Sequence, residues 1–477
     1  MSPRATARRE LTIQDIVQVN GLDYFHSQGR LPVERLNALL DIAVCRTGVI
    51  GTHILSCENC GYAEQRPNSC RNRHCPTCGG CRKVKWFEKV ETQLLPTGYM
   101  QAVFTLPHEL IPLLPRYARE LYDLLLRSAW KTIEKLAADP LHLGAKMGAM
   151  AVLHTWNQKM QEHPHVHVVL PAGGVSLDGE RWVPCKRLKG KNGKSGGYYL
   201  FPHLVISKLF RGKFLAGLTA LVKSGKIELA QLPENWNTAA KFKVRRAELY
   251  AMKWVVYQEA PPPDCEPAAL VKYLARYVAG VAINDSRLVS CTDTEVTFKF
   301  KNRKTKKTEL LTLPISEFIR RYLLHVLPPG MARVRYYGFW HPRCAARMER
   351  AKELCGASLD VPPELRTPAA APATAPAPAV SAEGPSCPHC KTGVLEFVSM
   401  DRIWGWEGRR ALLVLGPRLR RWSSPRVVSR GRDLEPTSPD PPAPPIPPAL
   451  PPAPAPSVPS GRMKQRELLP DWEPYPW

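Results

Sequence analysis

The chain has 477 residues, 44% hydrophobic and 23% charged, which is enough for about three domains of roughly 150 residues each. Lys and Arg number 67 against 42 Asp and Glu, a net charge of +25 that favours a polyanionic partner, either nucleic acid or an anionic membrane surface. No apolar run approaches the roughly 18 residues that span a bilayer, and no apolar secretory segment follows the basic N-terminus. We therefore expect a cytoplasmic protein whose 14 cysteines are reduced and bind metal where they cluster.

The first part of the chain combines helical patterns with a cysteine-rich module. Apolar residues at helical spacing predict one or two amphipathic helices over 11–45, and Pro32 suits a helix start. Residues 53–81 are dense in Cys, His, Asn and Gly, which is typical of a metal-stapled module. A further helix is predicted over 82–95.

The middle of the chain alternates predicted strands and helices. A buried strand at 99–107 precedes a long helix at 110–138, and strands at 150–156 and 165–174 form an expected antiparallel hairpin. The elements predicted beyond them are a Gly/Lys-rich loop at 188–200, helices at 204–230, 267–280 and 314–326, and a hairpin at 288–313 around the basic turn 301–307.

The composition changes after about residue 360. Residues 361–382 are rich in Ala and Pro and predict a linker, and 11 prolines within 441–460 predict a disordered or polyproline-like segment. Cys387 and Cys390 form half of a zinc knuckle, no second CxxC pair follows, and we assign residues 387–477 no role. The predicted domains are an N-terminal helical segment 1–45, a zinc-binding domain 46–98, a catalytic domain 99–350, an Ala/Pro-rich linker 351–386 and an Arg/Pro-rich tail 387–477.

Two CxxC pairs, separated by 14 residues, are the strongest chemical signal. Each pair aims two thiolates at one point, and two pairs complete a tetrahedral shell with no open position. The spacing predicts one structural zinc ion, with buried free cysteines as the less favoured alternative. The predicted ligands are Cys57, Cys60, Cys75 and Cys78. Nearby candidates that could bind a second zinc or replace one of these ligands are Cys45, His53, Cys70, His74 and Cys81.

Basic residues surround the second CxxC pair. Arg71 and Arg73 precede it, and a further basic cluster follows over 82–85. This charge favours contact with DNA phosphates, and a solvated basic face is the alternative interpretation.

The sequence HPHVH at 163–167 predicts a second metal site. Alternate residues of a strand point to the same side, so His165 and His167 project together. Two imidazoles on one strand face can bind a divalent ion, whereas a pair of surface histidines is the alternative. The candidates for a third ligand are His154, Gln158, Glu162 and His163.

Tyr273 and Tyr277 lie four residues apart on a predicted helix. This spacing places them on one helix face, where both hydroxyls can reach one cavity, although two core tyrosines would show the same pattern. Lys272 and Arg276 form a second pair at the same spacing beside them and could hold a phosphate.

The combination resembles the HUH endonuclease class and, more closely, the rolling-circle transposases of the insertion sequence 91 type. The similarity extends over roughly residues 10–350. The segments that carry it are SCRNRHCPTC at 69–78, FTLPHEL at 104–110, LHTW at 153–156, HPHVH at 163–167, YLARYVAGVAIN at 273–284 and RYYGF at 335–339.

The resemblance implies an α+β fold with an HUH-type antiparallel sheet flanked by helices, an N-terminal zinc ribbon and a disordered Pro-rich tail. It implies that His165 and His167 hold Mg²⁺ or Mn²⁺, that Tyr273 and Tyr277 are the nucleophiles, and that structural zinc binds the N-terminal cysteines. The implied reaction is nicking and rejoining of single-stranded DNA through a 5′-phosphotyrosine intermediate, in rolling-circle transposition. The implied partners are single-stranded element ends and a target site, and the implied location is the nucleoid of a bacterial cytoplasm.

Three other functions are compatible with parts of the sequence. A rolling-circle replication initiator uses the same nicking chemistry, and its active site would look the same. A zinc-ribbon DNA-binding regulator without catalysis would need neither the histidine pair nor the tyrosine pair. A transposase that cleaves with three carboxylates is less favoured, because no acidic residues stand in a recognisable motif.

Overall fold

The protein is described by a computed structural model that covers residues 11–79, 86, 88–189, 195–259, 280–302, 305–357, 385–401 and 426–427. The predicted linker at 361–382, the proline-rich segment at 441–460 and, except for Gly280, the helix predicted at 267–280 lie outside these residues. None of the helices in the covered ranges is long and apolar enough to span a bilayer.

Helices within the described residues have the following bounds: α1 Ile13–Gln28, α2 Val33–Val44, α3 Leu114–Ala138, α4 His203–Lys223, α5 Ala239–Ala251, α6 Ile315–Leu324 and α7 Ala345–Ala357. Short 3₁₀ turns occupy His108–Leu113, Leu229–Gln231, Asp285–Arg287 and Pro342–Cys344.

The strands up to residue 200 are β1 Thr52–Cys57, β2 Ala63–Pro67, β3 Tyr99–Thr105, β4 Ala145–Lys146, β5 Gly148–Trp156, β6 Glu162–Pro171, β7 Gly173–Ser176, β8 Trp182–Pro184, β9 Lys186–Lys189 and β10 Ser195–Tyr199. The later strands are β11 Val256–Glu259, β12 Leu288–Cys291, β13 Glu295–Lys301, β14 Thr308–Pro314, β15 Val334–Gly338, β16 Leu395–Asp401 and β17 Arg426–Val427.

A five-stranded antiparallel sheet lies at the centre, with strand order β11-β3-β6-β5-β15. Alternate residues of its inner strands, such as Phe104, Leu153 and Val166, are buried on one face together with apolar side chains of α3 and α4. This face forms the largest hydrophobic core, since each helix lays an apolar stripe on the sheet. The α+β class and the antiparallel sheet flanked by helices are therefore confirmed.

A second core lies beside the sheet. It joins α1, α2, α6 and the small sheet β12-β13-β14 with three of the N-terminal cysteines. Helix α1 begins at a capping box, in which the Thr12 side chain accepts from the Asp15 backbone and the Asp15 carboxylate accepts from the Thr12 backbone. The hairpin predicted at 288–313 and the helix predicted at 314–326 both belong to this core.

The segment predicted as a loop at 188–200 contains paired strands instead. β9 and β10 are antiparallel, and Tyr198 lies opposite Arg187. Glycine and lysine in this stretch predicted a loop, but adjacent tyrosines favour an extended, pleated backbone.

A separate antiparallel sheet, β16-β1-β2-β17, contains strands from both ends of the chain. β1 pairs with β2 on one side and with β16 on the other, so that Thr52 lies opposite Asp401 and Cys57 opposite Leu395. Residues 395–401, which the sequence assigned to a tail without a role, thus form a strand beside the predicted zinc-binding domain.

Candidate metal centres

Three histidines meet on the face of the central sheet that lies opposite its main core. In the β5–β6 hairpin, His154 lies directly across from His165, and His167 lies one pleat further along the same face. The intervening Val166 points into the core on the other side. The register of one antiparallel hairpin is therefore sufficient to assemble the cluster.

The three rings are close enough to share one ion. The centroids of His154 and His167 are 4.6 Å apart, those of His165 and His167 4.9 Å, and those of His154 and His165 5.3 Å. One nitrogen of each ring lies within 4.8 Å of a nitrogen of the other two, and all three side chains are buried. Of the four candidates for a third ligand, His154 is the one that joins this group among the residues described.

Neighbouring polar groups orient two of the rings. His165 Nδ1 lies 2.7 Å from the carbonyl oxygen of His163, so Nδ1–H donates and Nε2 is the atom that can bind a metal. Gln101 on β3, itself buried, places its side-chain Nε2 2.5 Å from Nδ1 of His167. Burial, aided by the charge of His165, holds the pKa of His167 well below its ordinary value, so its imidazole is neutral and can coordinate a cation.

An aromatic and cationic layer borders the cluster. The Trp156 ring stacks on His154 with centroids 4.8 Å apart and an interplanar angle of 17°. The guanidinium of Arg333 lies 5.3 Å from the centroid of Trp156, and it donates a hydrogen bond to the carbonyl of Gly280. Gly280, three positions after Tyr277, is the first described residue beyond the predicted tyrosine pair, and it lies beside this layer.

Tyr273 and Tyr277, with Lys272 and Arg276, lie outside the residues that the structure describes. Two other tyrosines, Tyr336 and Tyr337 on β15, can be compared with them as nucleophiles. Burial raises the pKa of both hydroxyls, and Tyr336 additionally accepts a hydrogen bond from the Trp86 indole. A phenol whose pKa is raised in this way is a weaker nucleophile at neutral pH.

The cysteines form two groups that differ from the predicted one. The first group is Cys45, Cys70, Cys75 and Cys78, and the second is Cys57, Cys60, Cys387 and Cys390. The prediction that the two N-terminal CxxC pairs share one shell is therefore wrong. Each CxxC turn fixes two thiolates locally. The packing of the second core brings Cys45, which directly follows α2, to Cys75 and Cys78. The pairing of strand β16 with β1 brings Cys387 and Cys390 to Cys57 and Cys60.

The first group has the close spacing that a shared ion requires. Cys78 Sγ lies 3.3 Å from Cys45 Sγ and 3.6 Å from Cys70 Sγ. Hydrogen bonds from Cys45, and then from Cys70, lower the pKa of the Cys75 and Cys78 thiols. Thiolate is the form that binds zinc.

The remaining N-terminal candidates have structural partners. His74 accepts a hydrogen bond from the Leu327 backbone at Nε2, and its own carbonyl accepts one from the Tyr322 hydroxyl at 2.7 Å. His53 Nδ1 lies 3.0 Å from the Asn68 side-chain oxygen. Cys81 lies outside the described residues.

Arg73 and Arg71 differ in their surroundings. The Arg73 guanidinium donates to the backbone carbonyls of Leu327, Pro328 and Met331. These hydrogen bonds join the zinc module to the chain that follows α6, and the contact of Arg73 with DNA stays a prediction. Arg71 is exposed and adopts a positive φ of 56°.

Comparison with known proteins places this chain. Residues 148–348 match the family model described as a putative transposase, and residues 16–106 match the model described as a transposase zinc-binding domain. The chain is 37% identical over 364 residues to "Putative transposase y4qJ" of Sinorhizobium fredii, covering 76% of this chain and 88% of that relative. It is 25% identical over 323 residues to "Transposase for insertion sequence element IS801" of Pseudomonas savastanoi pv. phaseolicola, covering 65% of this chain and 72% of the relative. No solved structure matches the chain.

The two matches define the class of protein: a transposase with a zinc-binding domain, whose sheet carries the histidines and whose N-terminal module carries the cysteines. The chain is a member of the transposase family of the insertion sequence 91 type. The resemblance seen in the sequence motifs is confirmed at this level.

Proposed function

We propose that this chain nicks and rejoins single-stranded DNA through covalent tyrosine chemistry, in rolling-circle transposition of its own element. The observation that carries the proposal is the buried cluster of His154, His165 and His167 on one sheet face. Three imidazoles whose nitrogens lie within 4.8 Å of one another suit a site that binds a cation.

The three histidines would hold a divalent ion through ring nitrogens. Imidazole suits transition ions, whereas Mg²⁺ prefers oxygen ligands, so the donor set favours Mn²⁺ of the two expected metals. When bound, the ion supplies positive charge that offsets the charge developing on a scissile phosphate.

Tyr273 and Tyr277 are the proposed nucleophiles. The phenol oxygen attacks phosphorus, a P–O bond to the tyrosine forms, and the P–O3′ bond breaks. The tyrosine gives its proton to water, the departing 3′ oxygen gains one from water, and the DNA 5′ end stays attached as a phosphotyrosine. The new 3′-OH can later attack that link and restore the phosphodiester, since no bond energy has been lost to hydrolysis.

The position of Gly280 supports this assignment. Its carbonyl accepts a hydrogen bond from Arg333, which lies over Trp156, and Trp156 stacks on His154. Gly280 follows Tyr277 by three positions in the sequence, and it is this residue that contacts the layer beside the histidine cluster. Two tyrosines one helical turn apart would allow a second cleavage while the first strand is still attached.

The surplus of positive charge supports DNA as the partner. The exposed Lys306 and Lys307 lie in the turn between β13 and β14, next to a second core that also holds the first cysteine group. We propose that single strands bind there, with Arg71, Lys272 and Arg276 as further phosphate contacts, and that the protein acts at the bacterial nucleoid. Zinc at Cys45, Cys70, Cys75 and Cys78 would fix the N-terminal module.

Two end labels on one oligonucleotide test the reaction. The full chain is incubated with Mn²⁺ and a single strand that carries the ends of its element. A 3′ label should remain on the protein in a denaturing gel, whereas a 5′ label should appear on a shorter oligonucleotide ending in 3′-OH. The double variant Tyr273→Phe with Tyr277→Phe should lose the labelled protein band, because it lacks only the two hydroxyls.

A tyrosine remote from the histidines provides the matched control. Tyr250 is exposed on α5 and stacks on Arg211, so Tyr250→Phe should form the adduct at the wild-type level. An adduct that persists in the double variant would overturn the tyrosine assignment. Salt-sensitive DNA binding by the wild type without any cleavage would instead support the non-catalytic regulator.

A further inference from the structure

The second cysteine group joins parts of the chain that the family models do not join. Cys57 and Cys60 lie within the matched zinc-binding region 16–106, but Cys387 and Cys390 lie beyond the end of the transposase match at 348. The sequence distance from Cys60 to Cys387 is 327 residues. Local chain geometry therefore does not explain why the two cysteine pairs lie next to each other.

The sulfur atoms are spaced as in a tetrahedral zinc site. Zn–S bonds of about 2.3 Å place the sulfurs of a tetrahedron about 3.8 Å apart. Cys57 Sγ lies 3.8 Å from Cys390 Sγ, and Cys60 Sγ lies 3.6 Å from Cys387 Sγ. A disulfide would need about 2.05 Å, so neither pair is bonded.

The two CxxC turns have the same local shape. Each is followed by a residue with positive φ, Gly61 at 71° and Lys391 at 64°. The backbone N–H of Gly61 donates to the carbonyl of Cys57 at 2.8 Å, and that of Lys391 donates to the carbonyl of Cys387 at 3.1 Å. Two equivalent knuckles that face each other are the usual construction of a four-thiolate zinc site.

Close packing at Gly393 shows how tightly the knuckles fit. Its backbone N–H donates to Cys390 Sγ at 3.2 Å. A methyl group added at Gly393 would lie 2.4 Å from Cys57 Sγ and 2.9 Å from the Asn59 Cβ atom. Only glycine leaves room there for the sulfur of the opposite knuckle.

Contacts around the sulfurs join the same two segments. The Asn59 amide donates to the Thr392 hydroxyl at 2.9 Å, and the rings of Tyr62 and His389 stack with centroids 5.9 Å apart and an interplanar angle of 7°. Leu55 and Leu395 complete a small apolar cluster under the cysteines. Four buried and two half-buried residues form too small a core to hold strand β16 by themselves.

We propose that Cys57, Cys60, Cys387 and Cys390 bind a second structural zinc ion, which fastens residues 385–401 to the N-terminal zinc module. The ion would link a segment that precedes the strands of the central sheet in the sequence to a segment that follows them. The zinc ribbon would therefore combine residues 52–67 with residues 385–401. This site goes beyond the proposed nuclease and does not depend on it.

Zinc content of the purified full chain tests the proposal. His165→Ala serves as the background, because the histidine cluster could also bind zinc. In this background the chain should bind two zinc ions, and adding Cys387→Ser with Cys390→Ser should leave one. Adding Cys344→Ser, which changes a half-buried cysteine outside both groups, should leave two. One ion before the cysteine changes, or two after Cys387→Ser with Cys390→Ser, would overturn the proposal.

Two further variants separate loss of the ligand from general misfolding. Cys390→His keeps a zinc ligand at a half-buried position, so it should retain two ions while the cobalt-substituted protein shows an altered visible spectrum. Gly393→Ala leaves all eight thiols in place, and it should weaken the second site and speed proteolytic release of the segment 385–401. Unchanged cobalt spectra in Cys390→His together with wild-type protease resistance in Gly393→Ala would contradict the assignment.

Discussion

The histidine cluster and the cysteine groups gather their ligands by different means. His154, His165 and His167 come from one hairpin, and backbone hydrogen bonds between β5 and β6 set their spacing. The second cysteine group instead depends on residues 327 positions apart. A site that the sheet assembles in advance can leave positions open for a substrate, whereas a site that crosslinks distant segments is itself part of folding. Changes at the two kinds of site should therefore have opposite effects on activity and on stability.

The largest effect is expected from His165→Ala. Loss of one ligand should reduce adduct formation by about a thousandfold, since metal stabilisation of the transition state is worth several kcal/mol, at about 1.4 kcal/mol per tenfold. The thermal midpoint should remain close to that of the wild type, because the hairpin keeps its backbone hydrogen bonds. Single-turnover cleavage rates and a thermal melt measure the two quantities.

His163→Ala is the matched control for that experiment. His163 lies on the same strand face, but its ring is outside the group that can share an ion. Its rate should fall by less than tenfold, since the carbonyl that orients His165 belongs to the backbone. If His163→Ala and His165→Ala lowered the cleavage rate equally, the assignment of His165 as a metal ligand would be contradicted.

Cys75→Ser should produce the reverse pattern. Removing a thiolate of the first cysteine group should release one zinc ion and lower the free energy of unfolding by several kcal/mol, because structural zinc supplies folding energy. Cleavage by the protein that remains folded should change far less than in His165→Ala. Metal analysis and denaturant titration check this outcome, and a stable variant with full zinc content would contradict it.

Gln101→Leu should have a smaller and more specific effect. Metal binding at Nε2 of His167 requires the ring proton on Nδ1, which the Gln101 oxygen can accept once its amide rotates. The Mn²⁺ concentration for half-maximal cleavage should rise by about 10- to 100-fold, while the rate at saturating Mn²⁺ changes little. Gln101→Glu keeps an acceptor and should restore tight binding; if both variants behave alike, Gln101 only fills space.

The smallest effect is expected from the basic turn. Lys306→Ser with Lys307→Ser should weaken single-strand binding modestly and reduce the slope of log K against log salt by about 0.7 for each phosphate that the protein no longer neutralises. Lys223→Ser, an exposed change at the end of α4, removes positive charge elsewhere and should leave the slope closer to the wild-type value. Identical slopes for all three proteins would exclude the turn from the DNA path.

Sequence patterns predicted what depends on local periodicity. Alternation identified the β5–β6 hairpin and the shared face of His165 and His167, because a strand repeats every two residues. The choice of His154 among four candidates required the register of the hairpin, which shifts between His154 and Trp156. Counting residues outward from the hairpin turn predicts a regular pairing, so it does not reveal such a shift.

The zinc ligands were mispredicted for a different physical reason. A CxxC pair specifies two thiolates, but nothing in its spacing says which other pair it will meet. Cys45 directly follows helix α2 and Cys70 stands outside any CxxC pair, so tertiary packing alone selects them. The signal available for the second group was the unexplained pair at Cys387 and Cys390, whose lack of a local partner indicated a distant one.

Peptide mapping of the covalent adduct tests the central claim most directly. Wild-type protein is trapped with a single-stranded element end in Mn²⁺, digested, and analysed by mass spectrometry for the residue that carries the nucleotide remnant. We predict a remnant on Tyr273 or Tyr277 that requires Mn²⁺ and falls by about a thousandfold in His165→Ala. A remnant on another residue, or an adduct that forms equally well without metal or without His165, would contradict the account.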